Sequence, residues 1–213
     1  MKTEQLIEML SKNLEPVNPQ NATPSLASAV VAGGAAAFWL MLNTVSLRGN
    51  LGVRSSLAFL TLKLVFALLV VGIGLRFLSR AMHPGQDARK LLRLTLVPFV
   101  AVGIAAVGEL GFGRSTLVPS ITAGTDWVQC LSYIPVFSVV PWALLVWAVR
   151  RGAPTELTRT GAMTGLVAGA VGAAAYAFHC PDDSLPFIAL WYGLSIAFCS
   201  AVGAVLGPRV LRW

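Results

Sequence analysis

Charged residues are scarce in this chain of 213 residues, since only 12% are Asp, Glu, Lys or Arg while 56% are hydrophobic. The mean hydropathy of +0.73 lies far outside the range of a soluble domain of this length. A soluble enzyme or soluble binding domain is therefore excluded. The composition indicates an integral membrane protein, with the lipid bilayer as its first partner.

Residues that carry chemistry are also few, with two histidines and three cysteines in the whole chain. The cysteines form no C-x-x-C pair, which a thiol–disulfide enzyme would normally carry. The sequence also has no grouping of nucleophile, base and acid and no pair of histidines suited to haem. We therefore expect no enzymatic activity and no resident cofactor.

Apolar runs dominate the chain, and most of them are long enough to cross about 30 Å of hydrocarbon as a helix. The sequence predicts an all-α membrane protein: residues 25–213 form a bundle of six transmembrane helices. The predicted spans are Ser25–Val45, Leu57–Leu78, Leu94–Leu110, Trp127–Val149, Gly161–Phe178 and Leu185–Leu206.

Basic residues are distributed unevenly between the two sets of predicted loops. The termini and the second and fourth loops hold 12 Lys and Arg residues, the other loops hold 3, and Lys63 inside a span completes the 16. Because cytoplasmic segments retain positive charge, both termini are predicted to lie in the cytoplasm. The same asymmetry explains the net charge of +7 without direct nucleic-acid binding.

Residues 1–24 differ from the rest of the chain. On a helical wheel Leu6, Ile7, Leu10 and Leu14 share one arc opposite polar residues, which predicts a short amphipathic helix. A tether containing three prolines follows it. So short a helix is marginal alone, so its apolar face needs another protein, the membrane surface or the protein's own loops.

Two charged residues lie within the predicted spans. Lys63 is about two turns from the outer end of the second span, and Glu109 lies at a comparable depth in the third. A charge in the membrane interior is costly unless it reaches the interface or finds an opposite charge. We expect either an interhelical Lys63–Glu109 ion pair or separate snorkelling of the two side chains.

Glycines repeat at every fourth position in the fifth span, as Gly161, Gly165 and Gly169. Such a face of small residues allows another helix backbone to approach closely. It predicts tight packing either within the bundle or against a second copy of the chain.

The densest group of reactive residues is the turn between the fifth and sixth spans, with His179, Cys180, Asp182 and Asp183. The charge asymmetry places this turn on the outer side of the membrane. Cys130, at the start of the fourth span, lies on the same side, whereas Cys199 is mid-span and predicted to be a packing residue. The two aspartates also suit the N-terminus of the sixth helix.

Three interpretations of these residues stay open. Cys130 and Cys180 could form a permanent disulfide, since the outer side is oxidising. They could form a switchable thiol pair that senses oxidants. They could also capture a thiophilic metal ion transiently, with His179 and either Asp182 or Asp183 as further ligands.

Several segments of the chain resemble sequences of the NrsF family of bacterial integral-membrane anti-sigma factors. They are KTEQLIEMLSKNLEPV near the N-terminus, LKLVFAL around Lys63, LLVWAVRRGAPT after the fourth span, HCPDDSLPFIALWY and the closing GPRVLRW. The resemblance implies an inner-membrane regulator of transcription that sequesters an extracytoplasmic-function sigma factor until stress reaches the envelope. It also implies signal perception by Cys130 and Cys180, whereas Cys199 does not match the family pattern.

Two other classes compete with this interpretation. One is a small six-helix transporter, which should show paired intramembrane carboxylates or repeated halves. The other is a structural membrane protein held by a disulfide on the outer side.

Overall fold

The computed structural model describes residues 22–49, 54–83, 89–111, 126–152 and 154–212. Within these ranges every regular element is helical, which confirms the predicted all-α class. The predicted amphipathic helix with Leu6, Ile7, Leu10 and Leu14 lies outside them, whereas the end of the predicted tether, residues 22–24, forms the start of the first helix. The elements are α1 (Ala22–Thr44), α2 (Arg54–Ala81), α3 (Arg89–Leu94), α4 (Leu96–Gly111), α5 (Asp126–Val149), α6 (Leu157–Tyr176), α7 (Leu185–Phe187), a π-helical turn (Ile188–Tyr192) and α8 (Gly193–Val210).

Five helical segments of the described chain are long and apolar enough to cross a membrane. They comprise α1, α2, α3 with α4, α5, and the continuous segment from α7 to α8. Of the six spans predicted from the sequence, α6 is the one that does not meet this criterion. The physical reason is its composition, because glycine and alanine occupy most positions where the other helices carry large aliphatic residues.

Helix α6 is the centre of the bundle. It packs most extensively against α8 and α5, and also against α2 and α1. Most of its residues are buried, among them Met163, Val167 and Tyr176. Small side chains let neighbouring helices approach closely, so the glycines and alanines of α6 suit its enclosed position.

Large apolar side chains cover the outward faces of the surrounding helices. Such a surface would be unstable in water and suits contact with lipid chains. Clear examples are Val31 and Trp39 on α1, Leu68 on α2, Ile104 and Val107 on α4, Val139 on α5 and Val205 on α8.

Glycines bring α6 and α8 into backbone contact. A Cβ atom added to Gly161 would lie 2.7 Å from the Gly207 Cα, and one added to Gly203 would lie 3.0 Å from the Gly165 Cα. The first distance is too short for a real side chain, and the second would require the neighbouring backbone to shift. The face of small residues predicted in the fifth span is therefore occupied within the chain, by the corresponding face of α8.

This packing predicts whether replacing a given glycine by alanine stabilises or destabilises the protein. Gly165→Ala should destabilise the protein by about 1 to 3 kcal/mol, because the added methyl group would meet backbone atoms of Cys199 and Gly203. The control is Gly103→Ala in α4, where a Cβ meets nothing within 4 Å and alanine should stabilise the helix by about 0.5 to 1 kcal/mol. Thermal unfolding in detergent measures both, and equal effects would contradict the packing.

Candidate functional site

The turn between α6 and α7, residues 177–184, is held by backbone hydrogen bonds at its start and by a helix cap at its end. The N–H groups of His179 and Cys180 donate to the Tyr176 carbonyl at 2.9 and 3.1 Å. Ser184 is the N-cap of α7, and its Oγ accepts from the Phe187 N–H at 3.4 Å. The cap is thus a serine and neither of the aspartates suggested by the sequence.

Asp183 is instead the carboxylate of a buried ionic cluster. Arg48 Nη1 donates to its Oδ1 at 3.0 Å, and Lys63 Nζ lies 3.7 Å from the same oxygen. The Ser56 hydroxyl donates to Oδ2 at 2.8 Å. Arg48 and Lys63 are only 6% and 1% exposed, so Asp183 is a counter-charge for two cations that the fold withdraws from solvent.

The same two cations hold the backbone of the turn. Lys63 Nζ donates to the Asp182 carbonyl at 2.6 Å and to the Cys180 carbonyl at 3.2 Å. Arg48 Nη1 donates to the Cys180 carbonyl at 3.2 Å as well. Lys63 also lies 5.7 Å from the centre of the Tyr192 ring, within range of a cation–π contact. The turn is therefore fastened to α2 and to the residues that follow α1.

The hypothesis of a Lys63–Glu109 pair disagrees with this geometry. Lys63 pairs with Asp183, and Glu109 Oε2 accepts a hydrogen bond from the backbone N–H of Leu185 at 3.1 Å. The first N–H groups of a helix lack intrahelical acceptors and favour negative charge. Glu109 thus satisfies the N-terminus of α7, while the turn supplies a nearer carboxylate to Lys63.

Cys130 and Cys180 are brought together beneath the turn, although 49 positions separate them in the sequence. Both are fully buried, both are free thiols, and their side chains are hydrogen-bonded to each other. The hydrogen bond from Cys130 lowers the pKa of Cys180 below its ordinary value; Lys63 and the Asp182 N–H lower it further, against the opposing effect of burial. The arrangement favours a thiolate at Cys180.

The imidazole of His179 is hydrogen-bonded to a different part of the chain: its Nδ1 lies 2.6 Å from the Ser46 carbonyl oxygen. Across the described residues, no three side chains of His, Cys, Asp or Glu are arranged to hold a metal ion. The ligand set considered from the sequence, Cys130, Cys180 and His179 with Asp182 or Asp183, is not assembled. Its carboxylate Asp183 is already engaged by the two cations.

Cys199 is separate from the thiol pair. It is buried in α8, where its Sγ lies 3.4 Å from the Ser138 hydroxyl of α5. This agrees with the packing role expected for it.

Sequence reasoning did not identify Arg48, Ser56 and Tyr192 as members of the site. Arg48 carried a usable signal, because it is one of only three basic residues in the loops predicted to lie outside. Ser56 carried none, since a serine at the start of an apolar run is common. Tyr192 reaches the turn because a π-helical turn, a form often found at functional sites, interrupts the last helix there.

A helical bundle with five segments long and apolar enough to cross a membrane, and with the buried cations of its described part meeting at one turn, defines a polytopic helical membrane protein. The chain belongs to the NrsF family, whose model, described as negative regulator of sigma F, matches residues 10–213. The resemblance noted in the sequence is thereby confirmed. The description of the family is that of a regulator.

Two curated relatives match over their whole length and over the whole of this chain. The probable anti-sigma-F factor NrsF of Azospira oryzae is 32% identical over 220 residues. The anti-sigma-F factor NrsF of Caulobacter vibrioides is 30% identical over 223 residues. No solved structure matches the chain significantly.

The ionic cluster predicts a large stability effect at Asp183. Asp183→Asn should destabilise the protein by about 3 kcal/mol, because two buried cations lose their shared carboxylate. Chemical denaturation of the purified protein in detergent measures this. Glu156→Gln is the matched control, since it breaks an exposed pair with Arg159 and should cost less than about 1 kcal/mol. Similar losses in the two variants would mean that the cluster contributes little.

Proposed function

We propose that this protein is an inner-membrane anti-sigma factor that sequesters an extracytoplasmic-function sigma factor and releases it when an envelope signal modifies Cys130 and Cys180. Family membership and the names of both full-length relatives support the anti-sigma role. The observation that carries the sensing role is the contact between two distant cysteines beneath a turn that buried cations hold in place.

In the proposed topology, six helices span the membrane and both termini are cytoplasmic. The distribution of 12 and 3 basic residues supports this orientation. Helix α6 is included as a span because it runs through the middle of helices that are apolar enough to cross. The turn with Cys180 then faces the periplasm, where thiols can be oxidised and disulfides persist.

Transmission would follow the packing of the last three spans. Cys130 belongs to α5 and Cys180 to the turn after α6, so a new bond or adduct at the pair displaces these helices relative to each other. Because glycines join α6 to α8 backbone to backbone, α8 moves with α6. The signal biases this bundle between two arrangements, and the cytoplasmic surface changes with it.

The apolar face of the N-terminal helix is the proposed sigma-binding surface. It consists of Leu6, Ile7, Leu10 and Leu14 in residues 1–24, before the first span. An amphipathic helix docking in a groove of a partner is a common mode of recognition. The cytoplasmic loops after α2 and α5 would complete the surface.

The sensing role predicts that Cys130→Ser with Cys180→Ser abolishes the rise of sigma-dependent transcription under oxidant or heavy-metal stress. The double variant should keep transcription low in both conditions, because serine preserves the packing but not the thiol chemistry. A transcriptional reporter provides the measurement, and Cys199→Ser should respond like the wild type. A normal response in the double variant would dismiss the pair as the sensor and favour a purely structural role.

The binding role predicts that Leu6→Glu with Leu10→Glu releases the sigma factor. Transcription should then be high without stress, and capture of the sigma factor from solubilised membranes should fall by at least about tenfold, as expected when central apolar contacts are lost. Glu4→Gln with Glu8→Gln, on the polar face, is the control and should retain capture. Unchanged capture by the leucine variant would exclude this helix as the binding surface.

A further inference from the structure

The two sulfur atoms of the thiol pair have unequal surroundings. Cys180 Sγ accepts from the Cys130 thiol and from the backbone N–H of Asp182, with the Lys63 ammonium nearby. Lys63 is fixed there by its own bonds to the Cys180 and Asp182 carbonyls at 3.2 and 2.6 Å. Cys130 lies within helix α5; its side chain is hydrogen-bonded to Tyr176 and is also within range of the Lys63 charge, and its main-chain carbonyl accepts from Ser195 Oγ at 3.4 Å.

Tyr192 adds a third donor at Cys180. Its side chain is 1% exposed, and in the described part of the chain its hydroxyl has no partner at normal hydrogen-bond distance. The hydroxyl nevertheless lies close enough to Cys180 Sγ to act on it. A buried donor without an acceptor is costly, whereas a negatively charged sulfur would satisfy it.

The net charge of the buried cluster also favours a negatively charged sulfur at Cys180. The buried cations Arg48 and Lys63 are both in contact with one carboxylate, that of Asp183. A second negative charge beside Lys63 would neutralise the cluster more completely. Cys180, whose own carbonyl accepts from Lys63 Nζ at 3.2 Å, is placed to provide it.

We propose that Cys180 is the reacting thiol of the pair, that Cys130 is the thiol that resolves its product, and that Lys63 and Tyr192 are positioning residues that hold the Cys180 sulfur ready to react. The inference rests on the proposed sensing function and specifies its chemistry. It assigns unequal roles to two cysteines that the sequence alone treats as equivalent.

With a hydroperoxide as oxidant, the Cys180 thiolate attacks the terminal peroxide oxygen and the O–O bond breaks. Cys180 becomes a sulfenic acid, and the leaving alkoxide or hydroxide takes up a proton. The Cys130 thiol then attacks the sulfenic sulfur, the S–S bond forms, and the departing hydroxide combines with the Cys130 proton to give water. The two thiols are oxidised to a disulfide and the peroxide is reduced.

Titration of Cys180 depends on every ionisable or charged group near it. The groups belong to the turn, to the segment after α1 and to four helices packed around the turn. They are Cys130 on α5, Lys63 on α2, Tyr176 on α6, Tyr192 on the last helix, Arg48 after α1, and His179, Asp182 and Asp183 in the turn.

The test uses the full-length reduced protein in detergent and a small reagent, methyl methanethiosulfonate. The attacking thiolate bonds to the sulfenyl sulfur and methanesulfinate leaves. Because both thiols are buried, the absolute rate also reflects access of the reagent, and the pH dependence of the rate reports the thiolate population. Cys180 is followed in the Cys130→Ser background and Cys130 in the Cys180→Ser background, by mass spectrometry of the modified peptides. At pH 7 Cys180 should react at least about tenfold faster, since one pKa unit changes the thiolate fraction tenfold.

The pH profile then separates activation by Lys63 from simple support of the turn. The rate midpoint, the pH at which Cys180 is modified at half its maximal rate, should lie below about 8.5, the pKa of an ordinary cysteine. Lys63→Met should raise it by about one unit or more, and Lys63→Arg should retain the low value because it keeps the charge. Tyr192→Phe, which removes only the hydroxyl, should raise it by a smaller amount.

Arg48→Gln is the control for loosening of the turn, since Arg48 bonds the same carbonyl of Cys180 but, unlike Lys63, is not among the groups that lower the pKa of Cys180. Its midpoint should shift by less than that of Lys63→Met. Faster reaction of Cys130, an unchanged midpoint in Lys63→Met, or equal shifts in Lys63→Met and Arg48→Gln would each overturn the inference. Any of these could occur while transcription still depends on both cysteines, so failure here is distinct from failure of the proposed function.

Discussion

Two cations, Arg48 and Lys63, are buried at one end of a helical bundle and meet a single carboxylate, that of Asp183. Isolated charges would be too costly in such surroundings, so the cluster must stay assembled while the protein is folded. Its remaining donors bind carbonyls of the turn between α6 and α7. The cluster therefore holds the backbone of Cys180 and Asp182 in place.

In the proposed mechanism, the rest of the bundle would convert a local change at the turn into a movement of helices. Helix α6 is small-sided and enclosed, and its glycines bring it against the backbone of α8. Ser184 and Glu109 fix the start of α7, and the π-helical turn directs Tyr192 to the cysteines. The groups around the two thiols are therefore closely packed and held in place. Modification of either thiol would displace whole helices more readily than it would rearrange single side chains.

The sequence predicted the features that depend on periodicity and composition: the all-α class, the approximate helix bounds and the close glycine face. It also singled out Cys130 and Cys180. It could not choose the partner of Lys63, because Glu109 and Asp183 lie at similar depth and only the path of the chain after α6 decides which is nearer. The sixth predicted span, α6, does not meet the length and hydropathy criterion that five other segments meet, because its many glycines and alanines suit enclosure by neighbouring helices.

The chemical state of the thiol pair in living membranes tests the central claim most directly. Differential alkylation and mass spectrometry would follow Cys130 and Cys180 while sigma-dependent transcription is measured in the same cells. The account predicts two reduced thiols before stress and their modification before transcription rises, with Cys199 unchanged throughout. A rise in transcription while both thiols remain reduced and unmodified would contradict it.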